Sequence, residues 1–474
     1  MALQADPARQ GLGRLKSGPN IWATETVAET KLIMLAMLTS FVTSEMLALG
    51  MLEFFLCWDA AYFGLRDMAG VDTAEAALLA VIVCAALTAA SFCVGLYRPE
   101  TFRNLLRTVI KTVMAALAAL ICLSLVLTFG RQTVPSIQKL AAILWPSVLC
   151  LALLLTIRMI FGYAMRLRLF IRRIVIMGAP DDAAPTIRAV NRQASHAFDI
   201  IGRLPPAQTR DELDQLVAQC RKRRVWAIVI TGGGMAPGLL ASLSARQRVM
   251  GEQKFWEREL RRVDIDRITE ERAICPMPSL TTSALRRLWD VLLSLTLLTF
   301  TLPVIIATWI AIRLDSPGPV FYRQERAGLG GRPFTLIKFR SMRVDAEASG
   351  PVWASAKDSR VTRIGQIIRL TRIDELPQLV NILRGEMSFI GPRPERPIFV
   401  EKLAREIPFY ELRMCVKPGL TGWAQVNYPY GASVEDARMK LSYDLYYVRH
   451  GSILLDAMIL FATVRVILFQ EGAR

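Results

Sequence analysis

Histidine is nearly absent: His196 and His450 are the only two in 474 residues, and they stand far apart. A His-based triad or His metal cluster is therefore not expected, and any acid–base or nucleophilic chemistry falls to Asp, Glu, Lys or Arg. The eight cysteines (Cys57, Cys84, Cys93, Cys122, Cys150, Cys220, Cys275 and Cys415) form no C-x-x-C pair, and five lie in apolar stretches. That argues against a zinc site and a disulfide framework and reads them as small buried hydrophobes. The first thirty residues contain no short apolar region with a small-residue cleavage site, so no removable signal peptide is expected. Internal repeats and low-complexity runs are missing too. No aromatic–basic motif of a nucleic-acid-binding type occurs, so nucleic acid is not an expected partner.

What is present is apolar and basic. Hydrophobic residues make up 53% of the chain and the formal net charge is +17. That composition is too apolar for a wholly soluble protein and too polar for a pure transporter. Basic balance of this size suits anionic lipid or phosphorylated substrates, and positive-inside bias raises the count further. Four apolar stretches lie near 44–64, 76–97, 112–130 and 140–157, each about long enough for ~30 Å of hydrocarbon. The last three lack Asp, Glu, Lys and Arg; Glu45, Glu53 and Asp59 weaken the first and face either the bundle interior or the interface. Basic residues cluster before the first stretch, after the second (Arg98, Arg103, Arg107, Lys111) and after the fourth (Arg158, Arg166, Arg168, Arg172, Arg173). The alternation puts the N-terminus and everything after residue 166 in the cytoplasm.

Residues 171–280 read as a small parallel α/β domain, with strands at 173–178 and 225–231 and helices at 183–193 and 211–222. The G-x-G-x-x-G dinucleotide fingerprint is missing after the first strand, where Asp181 and Asp182 would oppose a pyrophosphate, so a structural or regulatory role is expected there. A fifth apolar stretch, 291–312, has Pro303 in its middle and basic residues at both ends (Arg286, Arg287; Arg313, Arg323, Arg326). A helix broken at Pro303 that returns to the same face fits those charges. The last stretch, 452–469, carries Asp456 and Arg465 and reads as an amphipathic helix at the interface.

The densest chemical signal is Arg369-Leu-Thr-Arg-Ile-Asp374-Glu375-Leu-Pro-Gln378. Pro377 suits a first helical turn and Gly385 a C-terminal cap, which puts Asp374 and Glu375 at or just before a helix N-terminus. There the backbone N–H groups favour an ionised carboxylate, and the same field suits a phosphate and Mg²⁺. Acids at a helix start are also ordinary caps. The neighbouring cations shift the balance: Lys338 and Arg340 upstream, Arg393 and Arg396 downstream can neutralise a diphosphate.

Five motifs then appear in order: Asp315-Ser-Pro-Gly-Pro-Val-Phe-Tyr-Arg-Gln324, Lys338-Phe-Arg-Ser-Met342, Asp374-Glu-Leu-Pro-Gln-Leu379, Met387-Ser-Phe-Ile-Gly-Pro-Arg-Pro394 and Lys417-Pro-Gly-Leu-Thr-Gly-Trp-Ala-Gln-Val-Asn427. Together, over about 284–474, they resemble the bacterial sugar transferases, the monotopic phosphoglycosyl transferases that act on polyprenyl phosphate. The resemblance implies a membrane α-helical bundle plus α/β architecture. Its parts are a cytoplasmic tail (1–40), four transmembrane helices (41–168), a Rossmann-like domain (169–280) and an α-rich monotopic catalytic domain (284–474) with a re-entrant helix (288–312). It implies that Asp374 attacks the β-phosphate of a UDP-sugar, UMP leaves, and undecaprenyl phosphate takes the hexose-1-phosphate from the aspartate, in exopolysaccharide or O-antigen assembly. By motif match Asp374 and Glu375 are catalytic and Glu375 holds Mg²⁺. Lys338, Arg340, Arg369, Arg393, Arg323 and Gln324 bind substrate. The bacterial inner membrane, with the catalytic domain on its cytoplasmic face, and a homodimer are implied as well. Leu302 stands where such proteins often have serine before the helix-breaking proline, so a break at Pro303 would rest on Thr301 or its neighbours. The alternative reading is a membrane scaffold of a polysaccharide export system without transferase activity.

Overall fold

In the computed structural model, residues 44–469 are described apart from 65, 67–72, 99–100, 130–136, 196, 234, 269–279, 347–358, 429–430 and 432. The expected N-terminal tail lies outside them. The apolar stretches become helices α1 (Ser44–Phe63), α2 (Thr73–Val94), α3 (Leu105–Phe129) and α4 (Ile137–Arg166). α1 packs on α2 and α4, and α3 lies against both α2 and α4. Among the described residues, Ala76–Val94, Ser147–Arg166 and Ser283–Asp315 are long and apolar enough to cross a membrane. The chain is thus a membrane protein.

The bundle is pinned by a buried ion pair. Arg158 on α4 donates to both Glu53 oxygens (2.6 and 2.8 Å), to Thr112 Oγ1 (3.1 Å) and to Ser91 Oγ (3.0 Å), while Tyr97 donates to Glu53 Oε2 (2.9 Å). Arg158 is 1% and Glu53 2% exposed. Of the two orientations open to it, Glu53 takes the interior one. One expectation changes: Arg158 is no loop cation, because α4 extends past residue 157 and carries it into the bundle. Its charge is spent on Glu53, so the positive cluster after α4 begins at Arg166.

The middle region is a parallel α/β sheet of strand order β2-β1-β3-β4, built from β1 (Arg172–Met177), β2 (Phe198–Leu204), β3 (Ala227–Ile230) and β4 (Val249–Gly251). Helices α5 (Pro180–Ala189), α6 (Arg210–Lys222), α7 (Pro237–Arg246) and α8 (Glu252–Phe255) connect and follow the strands. Strand order reverses between β1 and β3, where such sheets commonly bind ligands. Here that crevice is packed with its own groups. A Cβ on Gly178 would lie 2.2 Å from Thr231 Oγ1, one on Gly232 would lie 2.4 Å from Asp182 Oδ2, and Arg267 binds Asp182 (3.0 Å) and Glu252. The chain after this sheet runs onto the C-terminal region, with Arg449–Glu257 at 3.0 Å and Trp423 Nε1 donating to Arg261 O at 3.0 Å.

The C-terminal region starts with α9 (Leu280–Asp315), a 36-residue helix. Pro303 stands inside it and helix continues on both sides, so the expected break does not divide it into two helices. Only one backbone donor is missing there. Thr301 does not fill in for it, since its hydroxyl donates to Leu297 O at 2.6 Å. A hairpin follows, β5 (Phe321–Ala327) and β6 (Pro333–Phe339), then α10 (Arg363–Leu370), α11 (Gln378–Arg384), β7 (Ser388–Ile390), α12 (Pro397–Glu406), β8 (Gly419–Thr421), α13 (Trp423–Asn427), α14 (Val434–His450) and α15 (Ile453–Phe469). β5 and β6 pair antiparallel, and β7 pairs parallel with β8. Leu336, Leu379, Ile382, Met387, Phe389, Trp423, Tyr447 and Ile459 form the core, each about 1.5–3 kcal/mol of burial. α15 differs from the expected interfacial helix. Asp456 binds Arg286 (2.8 Å) and accepts from Tyr447 (2.9 Å), and Arg465 is buried against Gly95 of the membrane bundle. Cys57, Cys84, Cys150 and Cys220 are buried thiols as expected, but Cys415 is disulfide-bonded.

Candidate active site

The site grows from a short turn. Ile373–Glu375 form one 3₁₀ turn ahead of α11, entered through Arg372 in the left-handed region (φ 59°). α11 itself starts at Gln378 and ends on Gly385 at φ 83°, the expected cap. Asp374 and Glu375 thus lie just before the helix, one of the two expected placements. The turn is fixed to β6 by Asn381, which is fully buried: its Nδ2 donates to Thr335 O (2.7 Å) and its Oδ1 accepts from Ile337 N (3.1 Å). The far end of α11 is held from α9, where Arg287 donates to Ile382 O and Leu383 O at 2.6 Å each. Asp290, also on α9, accepts from Ser388 Oγ and Phe389 N at 3.0 Å each.

Glu375 Oε1 receives Arg393 at 2.7 Å and has Arg372 at 3.6 Å. Arg393 arrives on the 391–396 loop after β7. This loop packs so closely on β8 that a Cβ on Gly391 would lie 2.3 Å from Lys417 O. Asp374 is 7% exposed, and its Oδ1 is buried without a hydrogen-bond partner. Burial pushes the Asp374 carboxyl up to about 6, and Glu375 adds to this, while Lys338, Arg393 and Arg372 pull the other way. Burial opposes the charge of Glu375 too, but Arg393 and Arg372 outweigh it and hold its carboxyl below the ordinary value. Burial brings the Lys338 ammonium down to about 8; Asp374 resists this and Arg326 and Arg393 add to it. Asp374 therefore stands above its ordinary value, and the neighbouring cations only limit the rise.

Strand parity decides which of the expected residues join in. On β5, Tyr322, Gln324 and Arg326 share one face, and Tyr322 is the ladder partner of Lys338. The Lys338 ammonium lies 5.4 Å from the Tyr322 ring centroid, Gln324 Nε2 donates to Tyr322 OH (2.8 Å), and Arg326 donates to Gln324 Oε1 (2.6 Å). Lys338 is therefore brought toward Asp374 and Glu375 with Arg393, and Gln324 lies on the Tyr322 side of the hairpin. Arg323 is exposed on the opposite face of the strand. Arg340 is buried at the end of α9, where it donates to Pro317 O (2.5 Å) and Ser316 O (2.8 Å). Arg369 donates to Ser341 Oγ at 2.8 Å from the last turn of α10. Motif reading did not single out Tyr322, Arg326, Arg372 or Asn381. The two-residue alternation of β5 was the available signal for the first two.

A carboxylate near neutrality, a second one held ionised and converging cations suit covalent catalysis on a polyanion. Among the described residues, no group of three His, Cys, Asp or Glu side chains converges as a metal cage. Two adjacent carboxylates, one with an orphaned buried oxygen, fit Mg²⁺, which commonly takes one or two carboxylates plus substrate phosphates.

Comparison with known proteins agrees with this geometry. Residues 281–470 match the family described as bacterial sugar transferase. A UDP-N-acetylgalactosamine-undecaprenyl-phosphate N-acetylgalactosaminephosphotransferase of Aeromonas hydrophila is 46% identical over 213 residues, 45% of this chain and 50% of that protein. A UDP-glucose:undecaprenyl-phosphate glucose-1-phosphate transferase of Caulobacter vibrioides is 38% identical over 200 residues, 42% of this chain and 75% of that protein. An undecaprenyl-phosphate glucose phosphotransferase of Komagataeibacter xylinus is 32% identical over 323 residues, 64% of this chain and 60% of that protein. The chain thus spans half the length of the Aeromonas relative.

Proposed function

The chain belongs to the bacterial sugar transferase family, and from that premise we propose that it transfers hexose-1-phosphate from a UDP-sugar to undecaprenyl phosphate and releases UMP. The observation that carries this reading is the pairing of a buried, unpartnered Asp374 oxygen with Glu375 held ionised by Arg393. Asp374 attacks the β-phosphorus, the bond from that phosphorus to the bridging oxygen breaks, and UMP departs with that oxygen. A phosphate oxygen of the lipid then attacks the phosphorus on Asp374, which leaves as a carboxylate, giving the polyprenyl diphosphosugar. Lys338 and Arg393 hold the diphosphate, and Gln324 sits on the same face. Glu375 would hold Mg²⁺, which screens the repulsion between the attacking carboxylate and the diphosphate.

The architecture proposed with this activity has four membrane spans, a Rossmann-like middle domain and a catalytic region from residue 284 onward. For its long helix, undivided at Pro303, to enter and leave the inner membrane on the cytoplasmic face, it must bend back at that proline. Both ends of that helix carry arginines, which supports the return to one side. A homodimer belongs to the same reading.

The test uses purified full-length protein, Mg²⁺, polyprenyl phosphate and a panel of UDP-sugars that includes glucose, galactose and N-acetylgalactosamine. UMP release that requires the lipid, with one sugar preferred, is expected. No UMP from any donor with folded protein would remove the proposal.

A further inference from the structure

The loop that carries Arg393 is held at four successive main-chain carbonyls. Gly419 N donates to Pro392 O (2.9 Å), Arg413 to Arg393 O (3.0 Å), Arg326 to Pro394 O (2.9 Å) and Ala327 N to Glu395 O (2.9 Å). Two of these donors are backbone amides, so side-chain substitution leaves them in place. The other two are guanidiniums brought from distant segments.

Each guanidinium is itself fixed. Arg413, in the turn before β8, is buried with Asp444 on α14 (2.8 Å; side chains 8% and 2% exposed) and donates to Tyr410 OH (2.6 Å). Arg326, on β5, donates to Gln324 Oε1 (2.6 Å) and lies 3.6 Å from Glu395. Neither touches Asp374 or Glu375 in any hydrogen bond among the described residues. The Arg393 side chain is 43% exposed, so little packing fixes it; besides its ion pair with Glu375, the backbone beneath it determines where it can reach. Proline at 392 and 394 restricts φ on both sides of Arg393 and makes that backbone stiff enough to transmit the hold.

We infer that Arg413 and Arg326 are positioning residues for the transfer, each gripping one carbonyl of the Pro-Arg-Pro segment so that the Arg393 guanidinium meets Glu375 beside Asp374. The inference rests on the proposed transferase reading. Lysine at either position keeps the charge but loses the planar fork that reaches a carbonyl and a second partner together.

The experiment is a double-mutant cycle on the full chain. Arg413→Lys and Arg326→Lys are each made alone and in an Arg393→Ala background, and kcat and KM for the UDP-sugar are read from UMP release. Each single lysine variant should lower kcat by on the order of 10²-fold, the cost of a small misplacement at a reacting centre, with the larger share in kcat rather than KM. In the Arg393→Ala background the same lysine should cost less than about twofold, because the residue it positions is gone. Equal losses in both backgrounds, or wild-type kcat in the single variants, would overturn the inference. Thermal unfolding identifies a variant that fails to fold; if Arg413→Lys does, the half-buried Arg326→Lys carries the cycle alone. A wild-type chain that releases no UMP would instead sink the transferase reading, and with it the role assigned here.

Discussion

Arg393 Nη2 lies 2.7 Å from Glu375 Oε1, across eighteen residues of sequence that include all of α11 and β7. This contact joins two loops that no local pattern connects, and it keeps one carboxylate charged while its neighbour Asp374 sits near neutrality. Arg393→Ala should therefore lower UMP release by about 10²-fold or more, the usual loss when one charge-stabilising donor is removed. Arg393→Lys should recover only part of this, because an ammonium lacks the guanidinium fork. Steady-state rates of the two variants check it; equal rates for wild type and Arg393→Ala would contradict it.

The titration of the site predicts a bell-shaped pH profile. Asp374 must be a carboxylate to attack, and its carboxyl stands at about 6, so kcat/KM should rise as pH climbs through that value. Lys338 must be an ammonium to hold phosphate, and it stands at about 8, so activity should fall above that value. Lys338→Arg stays protonated at all working pH and should remove the alkaline limb. A profile of the wild type that is flat between about pH 5 and about pH 9 would contradict both assignments.

Inside the membrane bundle, Glu53→Gln or Arg158→Met each leaves the other charge buried and should cost about 3–5 kcal/mol. Replacing both with apolar residues should restore most of that, since the desolvation of the pair also disappears. Thermal unfolding in detergent, with the two single variants and the double, measures it. Single variants as stable as wild type would show that the pair does not hold the helices together.

The path of α9 is tested by cysteine labelling from each side of sealed vesicles. Residues 284 and 330 should be reached from the same side. Labelling from opposite sides would mean that the long helix crosses fully, with Pro303 a bend and nothing more.

Much of the site was readable because its signals are short-range. The Asp-Glu-Leu-Pro run and Gly385 mark a turn and a capped helix by local backbone chemistry alone, and α5 and α6 follow from apolar spacing. What stayed hidden depends on long-range placement. Arg323 lies within a motif yet points away, whereas Arg326 shares the Lys338 face; the two-residue alternation separates them only once the segment is placed in a strand paired with β6. Arg340 looks like a phosphate ligand in sequence, yet its donors go to the chain just after α9. Arg158 reads in sequence as a loop cation, because its partner Glu53 lies 105 residues away. Arg413 and Asp444 carry no motif signature of their contact, which exists only once α14 packs beneath the Arg393 loop. β4 is three residues long and leaves almost no periodicity to find.

The covalent step is the central claim, and one measurement tests it most directly. The protein is incubated with its preferred UDP-sugar in the absence of lipid, and the peptide containing Asp374 is weighed by mass spectrometry. The account predicts a phosphosugar adduct on that peptide in the wild type and none in Asp374→Asn. An unmodified peptide from wild-type protein that nonetheless makes UMP and lipid product when polyprenyl phosphate is added would contradict it, and would assign the transfer to direct displacement on the donor.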